Sequence, residues 1–199
     1  MPDQVTEQEL KDRLSLIETM IAEGRRTTGS WGWTFVLWGV AYYVAIAWTI
    51  WGHYPLAWPI TMVAASVLTA VLATRRRRSQ PRTTMGRAIG SIWVAMGITM
   101  FILFFSLGLS GRLVDQQAFV ALVAAMLGTS NATSSLILKW KAQFACAIVW
   151  WAAAVISCFG TFMQSSIAGV AAIFLCQIAF GIYATIYESS KRGQVVHHA

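Results

Sequence analysis

Apolar positions in this chain run together in long blocks instead of alternating with polar ones. Six stretches, Trp31–Trp51, Leu56–Ala73, Ala88–Leu109, Ala118–Leu138, Ala142–Phe159 and Ile167–Tyr187, contain no Asp, Glu, Lys or Arg. A helix of about 20 mostly apolar residues spans the hydrocarbon core of a bilayer. A charged side chain at the centre of such a helix costs about 2.5–3.5 kcal/mol. The pattern predicts an all-α, polytopic membrane protein with six transmembrane helices arranged as three hairpins. The outer loops of those hairpins are expected near His53, Asp115 and Gln164.

The start of the chain follows a different period. Thr6-Glu7-Gln8-Glu9 has the spacing of a capping box, in which hydroxyl and carboxylate satisfy the free amides at a helix start. Leu10, Leu14, Ile17 and Ile21 then recur at intervals of four, three and four, which places one apolar stripe on a helix over residues 3–24. Asp3, Glu7, Glu9, Asp12, Glu18 and Glu23 outweigh Lys11 and Arg13, so this helix is acidic. Anionic lipid repels it, which argues against a membrane-surface anchor. The stripe must cover the protein's own basic loops, a second copy or a protein partner; two heptads are short for an independent coiled coil. The expected organisation is therefore a cytosolic amphipathic helix (1–28), a six-helix transmembrane domain (29–190) and a cytosolic tail (191–199). The first 30 residues do not read as basic and then apolar, so a secretory signal is not expected and the mature chain is expected to begin at or near Met1.

Composition agrees with membrane burial: 57% of residues are hydrophobic and 12% charged, against roughly 25% charged in soluble domains. Of the 15 basic residues, only Arg112 falls on the outer side; Lys11, Arg13, Arg25, Arg26, Arg75–Arg78, Arg82, Arg87, Lys139, Lys141, Lys191 and Arg192 all lie on the other. Lys and Arg in short loops mark the cytoplasmic face, so both termini are expected there. The net charge of +7 sits beside spans, where it sets topology and attracts anionic headgroups; the expected partner is the lipid bilayer and not nucleic acid. Trp31, Trp33, Trp140 and Tyr187 occupy one boundary and Trp48, Trp51, Tyr54 and Trp58 the other, as interfacial belts do. Trp38, Trp150 and Trp151 fall deeper and are expected to fill space between helices.

The hairpins share a weak internal likeness. Gly32 and Gly39 match Gly90 and Gly97, with Ala145 and Ala152; Val63-Ala64-Ala65 matches Val123-Ala124-Ala125 and Val170-Ala171-Ala172, each followed by Thr69, Thr129 or Cys176. Parallel repeats of this kind build several transporter folds.

The fourth span stands apart. Thr129-Ser130-Asn131-Ala132-Thr133-Ser134-Ser135 holds six polar side chains in seven residues. Ala121, Ala124, Gly128, Asn131 and Ser135 form a small, polar face suited to close helix packing, where interhelical hydrogen bonds average about 0.6 kcal/mol. A hydrated layer is the other reading, because seven residues cover nearly two turns and cannot all face one neighbour. By rise per residue, Gln177 of the sixth span shares a depth with Asn131. Thr129, Ser130, Asn131, Thr133, Ser134 and Gln177 thus form a candidate polar layer, neutral and fit for an uncharged or zwitterionic ligand. Cys146 and Cys158 lie about 18 Å apart along one helix, with Cys176 expected between their depths; none has metal-site spacing. His53, His197 and His198 sit outside the spans, which disfavours haem. No nucleophile–base pair can be drawn, and the expectation is no enzyme, no metal and no cofactor.

Leu16-Ile17-Glu18 and Ile21, followed by Gly32-Trp33, Leu37-Trp38-Gly39, resembles the start of an uncharacterised family of small multi-span bacterial integral membrane proteins with an N-terminal cytosolic helix. The likeness covers about the first 45 residues. It implies a bacterial inner membrane and a functional role for the helix-to-span junction, and it supplies no catalytic residues. The expected function is a binding, regulatory or assembly role in which residues 3–24 engage a protein partner or a homo-oligomer. The alternative is a small facilitator or channel for a polar solute through the layer on the fourth and sixth helices.

Overall fold

The computed structural model describes residues 7–53, 56–77, 84–111 and 115–186, with the side chains of residues 7, 25–30, 76 and 77 set aside. These residues form α1 (Glu7–Ser30), α2 (Gly32–Gly52), α3 (Ala57–Arg77), α4 (Thr84–Leu109), α5 (Gln116–Leu138), α6 (Lys141–Phe159) and α7 (Phe162–Ile186), with no strand among them. Helices α2 to α7 are each long and apolar enough to cross a membrane. Thr6 of the capping box, Tyr54, Arg78, Arg82, Arg112, Tyr187, Lys191, Arg192, His197 and His198 lie outside the described residues.

Local chemistry sets the helix ends. Asp115 caps α5 by accepting the Gln117 N–H at 2.8 Å. Lys139 adopts a left-handed backbone (φ 50°), and the Trp140 N–H reaches the Ser135 carbonyl at 3.0 Å. That Schellman closure folds α6 straight back along α5. At the far end α7 begins earlier than the apolar pattern places it. The Thr161 hydroxyl accepts the Gln164 N–H at 3.3 Å while Gln164 Oε1 accepts the Thr161 N–H at 2.8 Å. This is a reciprocal capping box, so Gln164 belongs to the first turn of α7 and not to a loop. Within α7, residues Phe174–Ala179 widen into a π-helical turn.

Each hairpin expected from the sequence pairs in space, α2 with α3, α4 with α5 and α6 with α7. The hairpins then join through α5 against α6, the most extensive contact, and through α2 against α7. The neighbours thus run α3, α2, α7, α6, α5, α4. No backbone contact joins α3 to α4 among the described residues. Aromatic rings bridge at longer reach: Phe35 of α2 stands edge-on to Trp93 of α4 at 5.2 Å, and Trp58 of α3 to Phe119 of α5 at 5.2 Å.

Glycines permit the closest approach. A Cβ on Gly32 would stand 2.6 Å from the Gly181 carbonyl oxygen, and one on Gly181 2.8 Å from the Gly32 carbonyl oxygen. The α2 and α7 backbones are therefore in direct contact. Val94, Ile98, Phe101, Ile102 and Phe105 of α4 all face outward. An outward apolar surface suits lipid, whose tails are as apolar as a leucine. Arg75, Arg87, Lys139 and Lys141 lie at one end of the bundle, called the basic end below.

Candidate functional site: an open stripe and a buried polar seam

Helix α1 is held at its C-terminal half and open along the rest. Gly24 is buried against Met85 of α4 and Leu138 of α5, and a Cβ there would lie 2.7 Å from Leu138 Cδ2. Ile21 is half-buried. Leu10, Leu14 and Ile17 are 54%, 55% and 51% exposed, and Leu16 beside them is 60% exposed. The polar side is occupied within the helix: Arg13 Nη2 meets Glu9 Oε1 at 2.6 Å and Gln8 Nε2 donates to Asp12 Oδ1 at 3.3 Å. Three of the four stripe residues thus project from the body without covering its basic end.

The polar run of α5 divides by helical geometry. Thr129 and Thr133, four residues apart, both face outward and donate back to the Ala125 and Thr129 carbonyls. Hydroxyl-to-carbonyl bonds of this kind satisfy the side chain inside its own helix. Ser130, Asn131, Ser134 and Ser135 are buried, Asn131 and Ser134 completely. Gly128 brings this face against α6, where the Trp151 ring lies over the position of a missing Cβ, with Nε1 at 2.6 Å. Trp150, next to it, is buried in the core.

Asn131 and Gln177 are both buried, yet no hydrogen bond joins them. The Asn131 Nδ2 donates to the Leu127 carbonyl at 2.9 Å, and its Oδ1 has no partner in the protein. Gln177 lies in the π-helical turn of α7 and packs on α2, where a Cβ on Gly39 would be 2.9 Å from Gln177 Cβ. The lack of a side chain at Gly39 accommodates that wider turn. The candidate layer therefore resolves into Ser130, Asn131 and Ser134 on one side, Gln177 on another, and Thr129 and Thr133 outside.

The cysteines are placed differently from the depth estimate. Cys176 does not fall between Cys146 and Cys158; its thiol donates to the Cys146 carbonyl at 3.5 Å, while Cys158 is exposed. The estimate counted residues from a later start for α7 than its capping box provides. No group of three or more His, Cys, Asp or Glu side chains suited to a metal forms among the described residues. Two shallow hollows lie open on the flanks, one lined by Leu56, Pro59, Ile60, Val63 and Ala64, the other around Val155, Phe159 and Gln164.

One residue of the seam escapes the sequence reading. Gln143, in the first turn of α6, is completely buried and neither amide atom has a hydrogen-bond partner in the protein. Its position just after Lys141 makes it look like an interfacial residue of the loop. The signal that finds it is spacing: Gln143, Cys146 and Trp150, at three and four, share one face of α6 and are all buried.

No protein-family model, curated protein or solved structure matches this chain.

Proposed function

We propose that this protein is a membrane-anchored docking protein of non-catalytic type: its six-helix body holds α1 at the bilayer, and the stripe of Leu10, Leu14 and Ile17 engages a protein partner or a second copy. The open stripe is the observation that carries this reading. Burying the exposed half of each aliphatic side chain there favours a complex by about 1 kcal/mol, and attachment to a membrane raises the effective concentration of the element. The basic residues gathered at the α1 end support a reading with both termini in the cytoplasm. The resemblance of the first 45 residues is what supports a bacterial inner membrane as its location in this reading.

The test is native mass spectrometry of the gently extracted protein, comparing the native chain with a variant carrying Leu14→Asp and Ile17→Asp. The expected result is a bound protein or second copy on the native chain that is lost from the variant, with membrane insertion intact in both. Association that survives both substitutions, or a bare monomer throughout, overturns the proposal.

A second reading, a facilitator for an uncharged or zwitterionic polar solute, draws its support from Asn131 and Ser134, whose buried side chains retain free hydrogen-bonding atoms.

A further inference from the structure

Gln143, Ser134, Asn131 and Trp150 each keep a buried polar atom without a partner in the protein: both amide atoms of Gln143, Ser134 Oγ, Asn131 Oδ1 and Trp150 Nε1. All four belong to the α5–α6 hairpin, and its register puts them in two tiers. The Schellman closure at Lys139 and the contact of Gly128 with Trp151 align residues equally distant from the turn. At about 1.5 Å per residue, Ser134 and Gln143 then differ in level by roughly 3 Å. Asn131 and Trp150 differ by roughly 3 Å as well, one to two turns deeper. Both pairs lie on the buried faces of their helices.

The atoms left over define the ligand. Gln143 Nε2, Ser134 Oγ–H and Trp150 Nε1–H offer donors; Gln143 Oε1, Ser134 Oγ and Asn131 Oδ1 offer acceptors. Donors and acceptors are balanced, and no formal charge stands among them. An anion would leave the acceptors unmet and a cation the donors. Stranding such groups in a low-dielectric interior is costly, a strong reason for something to meet them.

We propose that the α5–α6 hairpin contains a binding site for a small uncharged molecule that both donates and accepts hydrogen bonds, seated at Gln143 and Ser134 and continuing to Asn131 and Trp150. Water is its smallest occupant, and a neutral amide has the same chemistry. This deepens the solute reading of the same seam without requiring transport: a site that fills without conducting satisfies it, so its failure and that of a facilitator are separable.

Cys146 lies between the tiers on the Gln143 face and reports on the site. With the protein in lipid nanodiscs, brief X-ray radiolysis of water should modify Cys146 despite its burial. Gln143→Leu should lower that modification several-fold and lower the melting temperature by a few degrees; Ser134→Ala should lower the modification too, and serves if Gln143→Leu does not fold. Acetamide as probe separates the sources: protection of Cys146 identifies a neutral amide as occupant, and unchanged labelling identifies water. Background-level modification of Cys146 in the native protein overturns the proposal, and so does a Gln143→Leu variant that melts higher than the native chain.

Discussion

Gly181 and Gly97 are both helical glycines in spanning segments, and alanine should have opposite effects at them. A methyl on Gly181 would stand 2.8 Å from the Gly32 carbonyl oxygen, 2.8 Å from Val36 Cγ2 and 3.0 Å from Phe35 Cβ. Comfortable carbon contacts lie at about 3.5–4.0 Å, so α7 must retreat from α2 by roughly 0.5–1 Å. The first obstacle is main chain and the third a Cβ, neither of which a rotamer change can move. Overpacking of this kind costs about 1–3 kcal/mol, and the rigid obstacles put Gly181→Ala near the upper end. A methyl on Gly97 meets nothing within 4 Å, leaving only the helix-propensity gain of about 1 kcal/mol. That gain is common to both sites, so the difference between the variants isolates the steric cost. At about 2–4 °C per kcal/mol for a chain of this size, Gly181→Ala should melt roughly 5–10 °C below Gly97→Ala. Thermal denaturation of the detergent-extracted protein, followed by the surviving size-exclusion peak, measures it. Equal melting temperatures for the two variants would refute the claim that α2 and α7 meet backbone to backbone.

Two further outcomes test how the α5–α6 pair is held. Gln117 Nε2 donates to the Gly160 carbonyl at 2.8 Å, tying the start of α5 to the end of α6; Gln117→Leu should lower stability by about 1 kcal/mol, read from the midpoint of SDS-induced unfolding. Gly128→Ala should cost less than Gly181→Ala by the same assay, because its obstacle is the ring of Trp151, a side chain 39% exposed that can turn outward.

Much of the architecture is legible in the sequence because a bilayer permits so little. Charge-free runs can only be spans, and the period of Leu10, Leu14 and Ile17 can only be one face of a helix. The α7 start was hidden because Thr161 and Gln164 read as polar loop residues, although their spacing is that of a capping box. The division of the α5 polar run was accessible in principle: at 3.6 residues per turn, Thr129 and Thr133 share a face that Asn131 does not. Gln143 was masked by its basic neighbour, Lys141. Which spans touch was not legible at all. In lipid the outward and inward residues are equally apolar, so composition does not separate the buried side of α7 from the exposed side of α4.

That indifference explains why matching residues do unequal work in the three hairpins. Gly32 and Gly39 are buried and admit α7 to the surface of α2, where Gly181, Gln177 and Ile178 fill the space their side chains would have taken. Gly90 and Gly97 occupy the corresponding places on α4 and meet nothing, and Ala145 and Ala152 on α6 face outward. A ring of three equivalent hairpins needs three seams. The α2–α7 and α5–α6 seams form; the third would join α3 to α4, whose backbones do not meet among the described residues. The likeness among the hairpins is therefore one of sequence and chain direction, and it does not extend to packing. The consequence is an uneven body: α5, α6, α7 and α2 form a continuous packed row, while α3 and α4 flank its two ends. The glycine contacts of Gly32, Gly39, Gly128 and Gly181 and the buried polar atoms of Gln143, Ser134 and Asn131 lie within that row, and substitutions there should be felt far more than those at Gly90 and Gly97 of α4.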